Sequence, residues 1–281
     1  MNAIEVRDLR KAYGDVEAVD GVSFEVAHGE CLALLGPNGA GKTTTTEILE
    51  GYRKADSGYV RVLDVDPRHG GLGWKSRIGI VLQADRDLGD LTVRESVRHF
   101  AGYFENPRDI EEVITAVGLI EKANARNSKL SGGQRRRLDV ALGIIGRPEV
   151  LFLDEPTTGF DPAARREFWK LIEELKSDGT TVLLTTHYLD EAEHLADRVA
   201  VIARGRIVAC DTPSQIGGRS EGTAIVTWLE GDAERSTSTD APTALVAELM
   251  GRFGGEVPQL SIRRPTLEDT YLSLLAKEDQ Q

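Results

Sequence analysis

The chain has 281 residues, of which 40% are hydrophobic and 28% charged, as in an ordinary globular protein of one large or two smaller domains. Its net charge of −12 argues against a nucleic-acid partner, because phosphate backbones attract basic surfaces. No apolar run is long enough to span a membrane, and residues 1–11 lack the apolar core of a signal peptide. The two cysteines, Cys31 and Cys210, are far apart, which favours reduced thiols in a cytoplasmic protein.

The first part of the chain alternates polar and apolar side chains in short runs interrupted by Gly14, Gly21 and Gly29. Alternation with a period of two is typical of strands that bury one face. Residues 4–30 therefore predict an antiparallel β-layer of short strands. The continuous apolar run Cys31–Leu35 that follows predicts a buried strand.

Residues 36–43 follow this strand directly and fit the phosphate-binding pattern GxxxxGK[ST]. Gly36, Gly39 and Gly41 allow positive φ angles, which would let backbone N–H groups face an anion. Lys42 would contact the β- and γ-phosphates, and the Thr43 hydroxyl would bind Mg²⁺. A glycine-rich turn that binds nothing is the alternative, but the preceding strand and the following helix, predicted over residues 44–52, favour a nucleoside triphosphate.

Helical periodicity dominates the middle of the chain. Strands are predicted over residues 59–65 and 77–82, followed by helices between residues 92 and 127. Thr92 and Glu95 form the spacing of a capping box at the first of these helices. This block predicts a helical subdomain, over about residues 84–130, inserted into an α/β core.

Two carboxylates, Asp154 and Glu155, end the apolar run at 150–153, and a second such run lies at 181–184. Continuous apolar runs separated by predicted helices favour parallel strands buried on both faces. Asp154 can hold Mg²⁺, and Glu155 can accept a proton from an attacking water. Two solvated acids at a strand end are the alternative.

The pentapeptide at residues 130–134, Leu-Ser-Gly-Gly-Gln, precedes an arginine-rich helical stretch, 135–145. A serine and two glycines at a helix start predict a second anion-binding N-terminus. An ordinary serine cap followed by flexible glycines is the alternative.

The pattern changes near residue 220, where a small α+β appendage over residues 219–281 is predicted to follow the nucleotide-binding domain over residues 1–218. Its elements form a β-α-β-α order, with a polar stretch at residues 232–240 between the first two. The predicted segments are 223–230, 242–253, 257–263 and 266–276.

These motifs together resemble the nucleotide-binding subunit of ATP-binding cassette (ABC) transporters. In the order of that family, the chain carries a Walker A motif at 36–43, Gln83 after a strand, a signature at 130–134, a Walker B motif at 150–155, a D-loop at 159–161 and a switch histidine, His187. The resemblance implies an α/β fold: a P-loop NTPase core with an antiparallel β-subdomain, an inserted helical subdomain and the appendage. Phe160 departs from the leucine usual in the D-loop.

The resemblance also implies roles for single residues. Tyr13 would stack on adenine, although a half-buried tyrosine at a strand end is the alternative. Glu155, His187 and Gln83 would be catalytic, and a structural histidine is the alternative for His187. Mg²⁺ would be held by Thr43, Gln83 and Asp154. The remaining ATP contacts would come from Gly36, Asn38, Gly39, Ala40, Gly41, Lys42, Thr43 and Thr44. The signature residues Leu130, Ser131, Gly132, Gly133 and Gln134 would complete the site of a partner subunit, and Asp161 would cross the dimer interface.

The implied partners are a second ATPase subunit, most simply another copy of this chain, and a separate integral-membrane permease. The chain itself would be cytoplasmic and held on the inner face of the cell membrane through that permease. Leu88 and Leu91 are docking candidates for the permease. Residues 264–272 are similar to the tail of drug-exporter and antibiotic-resistance ATPases, which favours export of a hydrophobic or amphipathic compound. The alternatives are a soluble ABC-type ATPase in DNA repair, chromosome organisation or translation, an importer ATPase, and an ATP-binding regulatory module.

Overall fold

A computed structural model describes residues 2–81, 89–219, 223–231 and 233–278. The chain divides into two compact units, residues 1–208 and 209–281, whereas the predicted domain boundary lies somewhat later, after residue 218. Two residues named in the predictions, Gln83 and Leu88, lie outside the described residues.

Twelve strands and nine α-helices are present in the described residues. The strands are β1 (Asn2–Tyr13), β2 (Val16–Ala27), β3 (Cys31–Leu35), β4 (Ser57–Val62), β5 (Ile78–Val81), β6 (Val150–Asp154), β7 (Thr181–Thr186), β8 (Arg198–Ala203), β9 (Arg206–Asp211), β10 (Ala224–Glu230), β11 (Ala233–Thr239) and β12 (Ser261–Arg263). The helices are α1 (Lys42–Leu49), α2 (Leu72–Lys75), α3 (Val93–Ala101), α4 (Ile110–Ala116), α5 (Gly132–Ile144), α6 (Pro162–Ser177), α7 (Leu189–Leu195), α8 (Pro242–Phe253) and α9 (Leu267–Glu278).

The antiparallel sheet of the first unit has the order β2-β1-β4. Its strands β1 and β2 are each 12 residues long, so the expectation of short strands broken at Gly21 is wrong. Gly21 lies inside β2 with a φ of +79°, next to irregularities in the pairing with β1. A glycine at such an irregularity lets the strand bend and continue.

The larger sheet has six strands in the order β5-β6-β7-β3-β8-β9. Strand β3 pairs in parallel with β7 and β8, and β6 pairs in parallel with β5 and β7. All residues of β3, β6 and β7 are buried, which confirms the parallel strands predicted from the apolar runs. Because parallel strands end at the same edge of a sheet, the segments that follow β3, β6 and β7 come together there.

The helical part of the first unit begins as the sequence predicts. The side chain of Thr92 accepts a hydrogen bond from the N–H of Glu95, and the Glu95 side chain accepts from the N–H of Thr92, forming a capping box at the start of α3. The buried face of α3 includes Val93 and Val97. No helix among the described residues has both the length and the apolar character needed to cross a membrane.

The second unit contains a sheet of order β11-β10-β12. The polar stretch at residues 232–240, which was not predicted as an element, includes β11, so the order is ββαβα rather than βαβα. Strand β11 pairs with β10 in regular register and is exposed along almost its whole length. An exposed edge strand of serine and threonine carries no buried apolar face from which it could be predicted.

Candidate nucleotide-binding site

The phosphate loop connects the buried strand β3 to α1, as predicted from the sequence. Gly39 and Gly41 have φ angles of +80° and +104°, conformations that other residues rarely adopt. Gly36 does not have a positive φ, so it does not use that conformational freedom. Glycine is required at position 36 for space, because a Cβ atom there would collide with the carbonyl oxygen of Ile202.

Lys42 lies at the centre of this loop with only 6% of its surface exposed. Its ammonium group donates hydrogen bonds to the carbonyl oxygens of Gly36 (2.7 Å) and Pro37 (3.1 Å). Burial lowers the pKa of Lys42, while the nearby Glu155 and Asp154 carboxylates oppose this effect. The loop therefore holds a positive charge at the sheet edge that also carries the Walker B acids.

The four consecutive threonines of α1 differ in exposure. Thr43 is exposed and Thr44 half-buried, whereas Thr45 and Thr46 are buried. Thr46 donates its hydroxyl hydrogen to the carbonyl oxygen of Lys42 (3.1 Å), one helical turn earlier. Thr45 and Thr46 are thus helix-packing positions, as predicted, and the first two threonines are more accessible.

Strand β7 orients the two acids that end β6. The Thr185 hydroxyl donates to the Asp154 carboxylate, and the Thr185 carbonyl oxygen accepts the N–H of Glu155 at 2.9 Å. Glu155 has a φ of +46°, in the left-handed region that is uncommon for residues other than glycine. Such conformations persist only where surrounding contacts hold them, and they concentrate at functional sites.

His187 follows β7 directly, and its Nδ1 atom lies 3.2 Å from Oε1 of Glu155. The Glu155 side chain is 15% exposed and the His187 side chain 46% exposed. Two residues predicted to be catalytic, from separate strands, are therefore in contact at the edge of the sheet.

Tyr13 is the last residue of β1 and is 41% exposed. The Lys11 ammonium and the Arg53 guanidinium lie 5.6 Å and 5.3 Å from the centre of its ring. These distances are those of cation–π contacts, which restrict the orientation of the ring. An exposed ring held in this way suits the predicted stacking on a nucleotide base.

The signature segment begins α5. Ser131 is the N-cap, accepting the N–H of Gln134 (3.3 Å), and the Gln134 side chain accepts the N–H of Ser131 (3.0 Å). Gln134 thus has a structural role in a capping box. Ser131 and Gly132 are exposed, while Leu130 is buried. A cavity of about 560 Å³ opens here, lined by signature residues 131–134, Glu155 and the D-loop.

The donor groups near Lys42 fit ATP with Mg²⁺. The Thr43 hydroxyl and the Asp154 carboxylate are oxygen ligands, the type that Mg²⁺ prefers. Within the described part of the chain, no group of three or more histidine, cysteine, aspartate or glutamate side chains could hold a metal ion. Magnesium ions in nucleotide sites are commonly held by phosphates and water with one or two protein ligands.

Comparison with known proteins identifies the family. The family profile described as "ABC transporter" matches residues 19–158. The Nod factor export ATP-binding protein I of Rhizobium meliloti (strain 1021) is 38% identical over 298 residues, covering 98% of this chain and 89% of that protein. The chain belongs to the ABC transporter family.

Other members of this family agree with the assignment. The Nod factor export ATP-binding protein I of Paraburkholderia xenovorans (strain LB400) is 37% identical, covering 99% of this chain and 98% of that protein. A solved structure of an ATP binding subunit of an ABC transporter has a TM-score of 0.74 at 22% identity, covering 97% of this chain and 99% of its own. The similarity to this solved structure supports the P-loop NTPase fold. Membership of the family makes this chain an ATP-binding ATPase coupled to transport.

The D-loop of this ABC ATPase precedes α6. Asp161 caps the helix, accepting the N–H groups of Ala163 and Ala164 at 2.9 Å each. Phe160 is 8% exposed, its ring lying 6.0 Å from that of Phe168 and 5.7 Å from the guanidinium carbon of Arg137. The larger side chain at the usual leucine position is therefore packed inside its own chain, between α5 and α6.

Two residues of the site were not predicted from the sequence. Thr185 orients both Walker B acids, and Arg136 donates to the backbone carbonyls of Asp154 and Pro156. For Arg136 a signal exists, because its spacing of four from Val140 and of eight from Ile144 places it on the buried face of α5. For Thr185 there is no such signal, since its partners depend on how β6 and β7 pair.

Proposed function

We propose that this chain is the Mg²⁺-dependent ATPase subunit of an ABC exporter. Two copies would enclose two ATP molecules and drive a hydrophobic or amphipathic compound through a separate permease. The observation that carries this proposal is the 3.2 Å contact between Glu155 and His187 beside the phosphate loop. The curated relatives named as export ATP-binding proteins support the direction of transport.

In this proposal each described residue has one chemical task. Lys42 contacts the β- and γ-phosphates, while Thr43 and Asp154 hold Mg²⁺, which neutralises charge on the phosphates when bound. Glu155 accepts a proton from the attacking water, and His187 fixes the Glu155 carboxylate and contacts the γ-phosphate. Gln83, outside the described residues, is proposed as a further contact to Mg²⁺ and the water.

The exposed start of α5 supports the dimer. Ser131 and Gly132 present the N-terminus of a helix of 13 residues at the rim of a cavity that also contains Glu155. Helix N-termini attract phosphate groups through free N–H groups and the helix dipole. We propose that the γ-phosphate bound by the partner subunit lies there, with Asp161 at the interface.

The permease would dock near the helical subdomain. Tyr103, which follows α3, and Leu72, which begins α2, are 68% and 86% exposed and line one cleft of about 450 Å³. Leu91, the described member of the two docking candidates, is half-buried just before α3. Exposed apolar side chains around a cleft suit a cytoplasmic loop of a membrane protein.

Glu155→Gln tests the proposed chemistry. Because glutamine cannot accept the proton, kcat for ATP hydrolysis should fall by about a hundredfold or more. ATP should still bind, so a dimer should accumulate with ATP. Phosphate release and size-exclusion chromatography with and without ATP measure the two effects.

The matched control is Glu121→Gln, which makes the same chemical change at an exposed position in the helical subdomain. It should retain wild-type hydrolysis and form no stable ATP-dependent dimer. A Glu155→Gln protein that hydrolyses ATP at the wild-type rate and stays monomeric would refute the proposal.

A further inference from the structure

Arg136 lies in the second turn of α5, the helix that begins at the signature segment, and only 8% of its surface is exposed. Its guanidinium donates to the carbonyl oxygen of Asp154, and its Nε donates to the carbonyl oxygen of Pro156 at 3.2 Å. These two carbonyls belong to the residues on either side of Glu155. One side chain therefore holds the backbone on both sides of the proposed catalytic base.

The backbone of Glu155 needs such support. Its φ of +46° is unfavourable for a residue with a side chain, and surrounding contacts must maintain it. Thr185 of β7 accepts its N–H, and Arg136 binds the two flanking carbonyls. The orientation of the Glu155 carboxylate thus depends on β7 from one side and on α5 from the other.

The choice of arginine follows from its geometry. A buried cation loses its hydration, and burial accordingly lowers the pKa of Arg136. Four carboxylates oppose this effect, those of Asp139, Asp154, Glu155 and Glu191. The planar guanidinium carries its N–H groups on three separate nitrogens at fixed angles, so that different nitrogens reach the two carbonyls, whereas all N–H groups of a lysine side chain lie on one nitrogen.

We propose that Arg136 is a positioning residue that couples the signature segment to Glu155 of the same chain. Phosphate bound at Ser131–Gln134 acts on the start of α5, and Arg136 passes a displacement of that helix to the backbone of Glu155. The inference rests on the proposed function, in which Glu155 activates water and the signature contacts the partner's ATP. Each chain would then sense the nucleotide of its partner's site through one arginine.

Steady-state ATPase assays of Arg136→Met and Arg136→Lys test this role. Methionine keeps an unbranched apolar chain and removes all donors, so kcat should fall by about tenfold to a hundredfold, as expected for a misplaced catalytic group. The KM for ATP should change little, because the phosphate loop is untouched. Lysine should restore part of the lost kcat. The control Arg166→Met, at an exposed arginine of α6, should match the wild type.

A double-mutant cycle distinguishes positioning from a general structural role. If Arg136 acts through Glu155, Arg136→Met should not lower the residual single-turnover rate of the Glu155→Gln protein any further. The double variant should still form a dimer with ATP. The dependence of the Arg136→Met rate on ATP concentration should also be less cooperative than that of the wild type.

Three results would overturn the inference. The first is an unchanged kcat in both Arg136 variants. The second is that Arg136→Met lowers the rate in the Glu155→Gln background as much as it does in the wild type, and the third is loss of the ATP-dependent dimer. Thermal melting identifies a variant that does not fold. If Arg136→Met does not fold, the kcat of Arg136→Lys decides, and a wild-type value refutes the inference. A fully active Glu155→Gln protein would instead refute the proposed function, so the two failures are distinguishable.

Discussion

Two glycines of the phosphate loop are required for different reasons. Gly39 has a φ of +80° and open space around it, since an added Cβ would meet no atom within 4 Å. Gly41 has a φ of +104°, and an added Cβ would collide with the carbonyl oxygen of Ala18 in β2. The first position needs only conformational freedom, whereas the second also needs a close approach between the loop and β2.

The same substitution at both glycines separates these requirements. Gly39→Ala should lower the free energy of unfolding by about 1–2 kcal/mol, the cost of a left-handed residue with a side chain. Gly41→Ala should lower the free energy of unfolding further and should weaken ATP binding more than Gly39→Ala does, because the loop must move away from β2. Urea denaturation and nucleotide titration measure both effects. Equal losses in the two variants would contradict the argument.

Among the elements, α7 is tied to the site through Glu191, which is fully buried. Its carboxylate faces the hydroxyls of Thr157 and Thr186 and the indole N–H of Trp169, and these groups lower its pKa. Glu191, Thr157 and Trp169 do not reach hydrogen-bond geometry with one another. Thr157 and Trp169 are polar neighbours of the Glu191 carboxylate and not hydrogen-bond partners. Burial is the larger effect and raises the pKa of Glu191.

This raised pKa predicts the effect of pH on stability. Between the ordinary pKa of 4.5 and the raised value, the folded chain keeps a proton that the unfolded chain releases. Stability therefore falls as pH rises through that window. The Glu191→Gln side chain does not titrate. The free energy of unfolding of this variant, relative to that of the wild type, should therefore increase from pH 4 to pH 8 when measured by urea denaturation. Glu121→Gln is the exposed control, and a difference that does not vary with pH would contradict the prediction.

At the scale of the whole molecule, the two units differ in the size of their cores. The core of residues 209–281 centres on Val226, Trp228, Leu249 and Val257. The indole nitrogen of Trp228 is buried without a hydrogen-bond partner among the described residues. Trp228 therefore stabilises this core through the apolar part of its side chain.

Trp228→Ala and Trp228→Phe test that contribution. The alanine variant should lose about 3–5 kcal/mol, as much as a core of this size supplies, and the second unit should unfold. Phenylalanine keeps an aromatic ring and removes the unpaired N–H, so the unit should remain folded. Limited proteolysis reports its state, and the KM for ATP should stay unchanged in both variants. Proteolytic resistance of Trp228→Ala would contradict this view of the core.

The parts of the molecule that were predictable from the sequence depend on local patterns. The phosphate loop, the capping box at Thr92 and the buried parallel strands each follow from neighbouring residues. What was missed depends on contacts between distant segments. The space that Gly36 requires is set by Ile202 in β8, and the donors of Arg136 find their acceptors only after α5 packs beside β6. Strand β11 was missed because both of its faces are polar and exposed.

The order of the six-stranded sheet also affects synthesis of the chain. Both strands that pair with β3 lie far downstream, at Thr181–Thr186 and Arg198–Ala203. At about 5–20 residues per second, a ribosome needs on the order of ten seconds to reach them after β3 has been made. During that time the apolar segment Cys31–Leu35 has no partner strand. Exposed apolar segments of this kind are prone to aggregation until their partner strands are made.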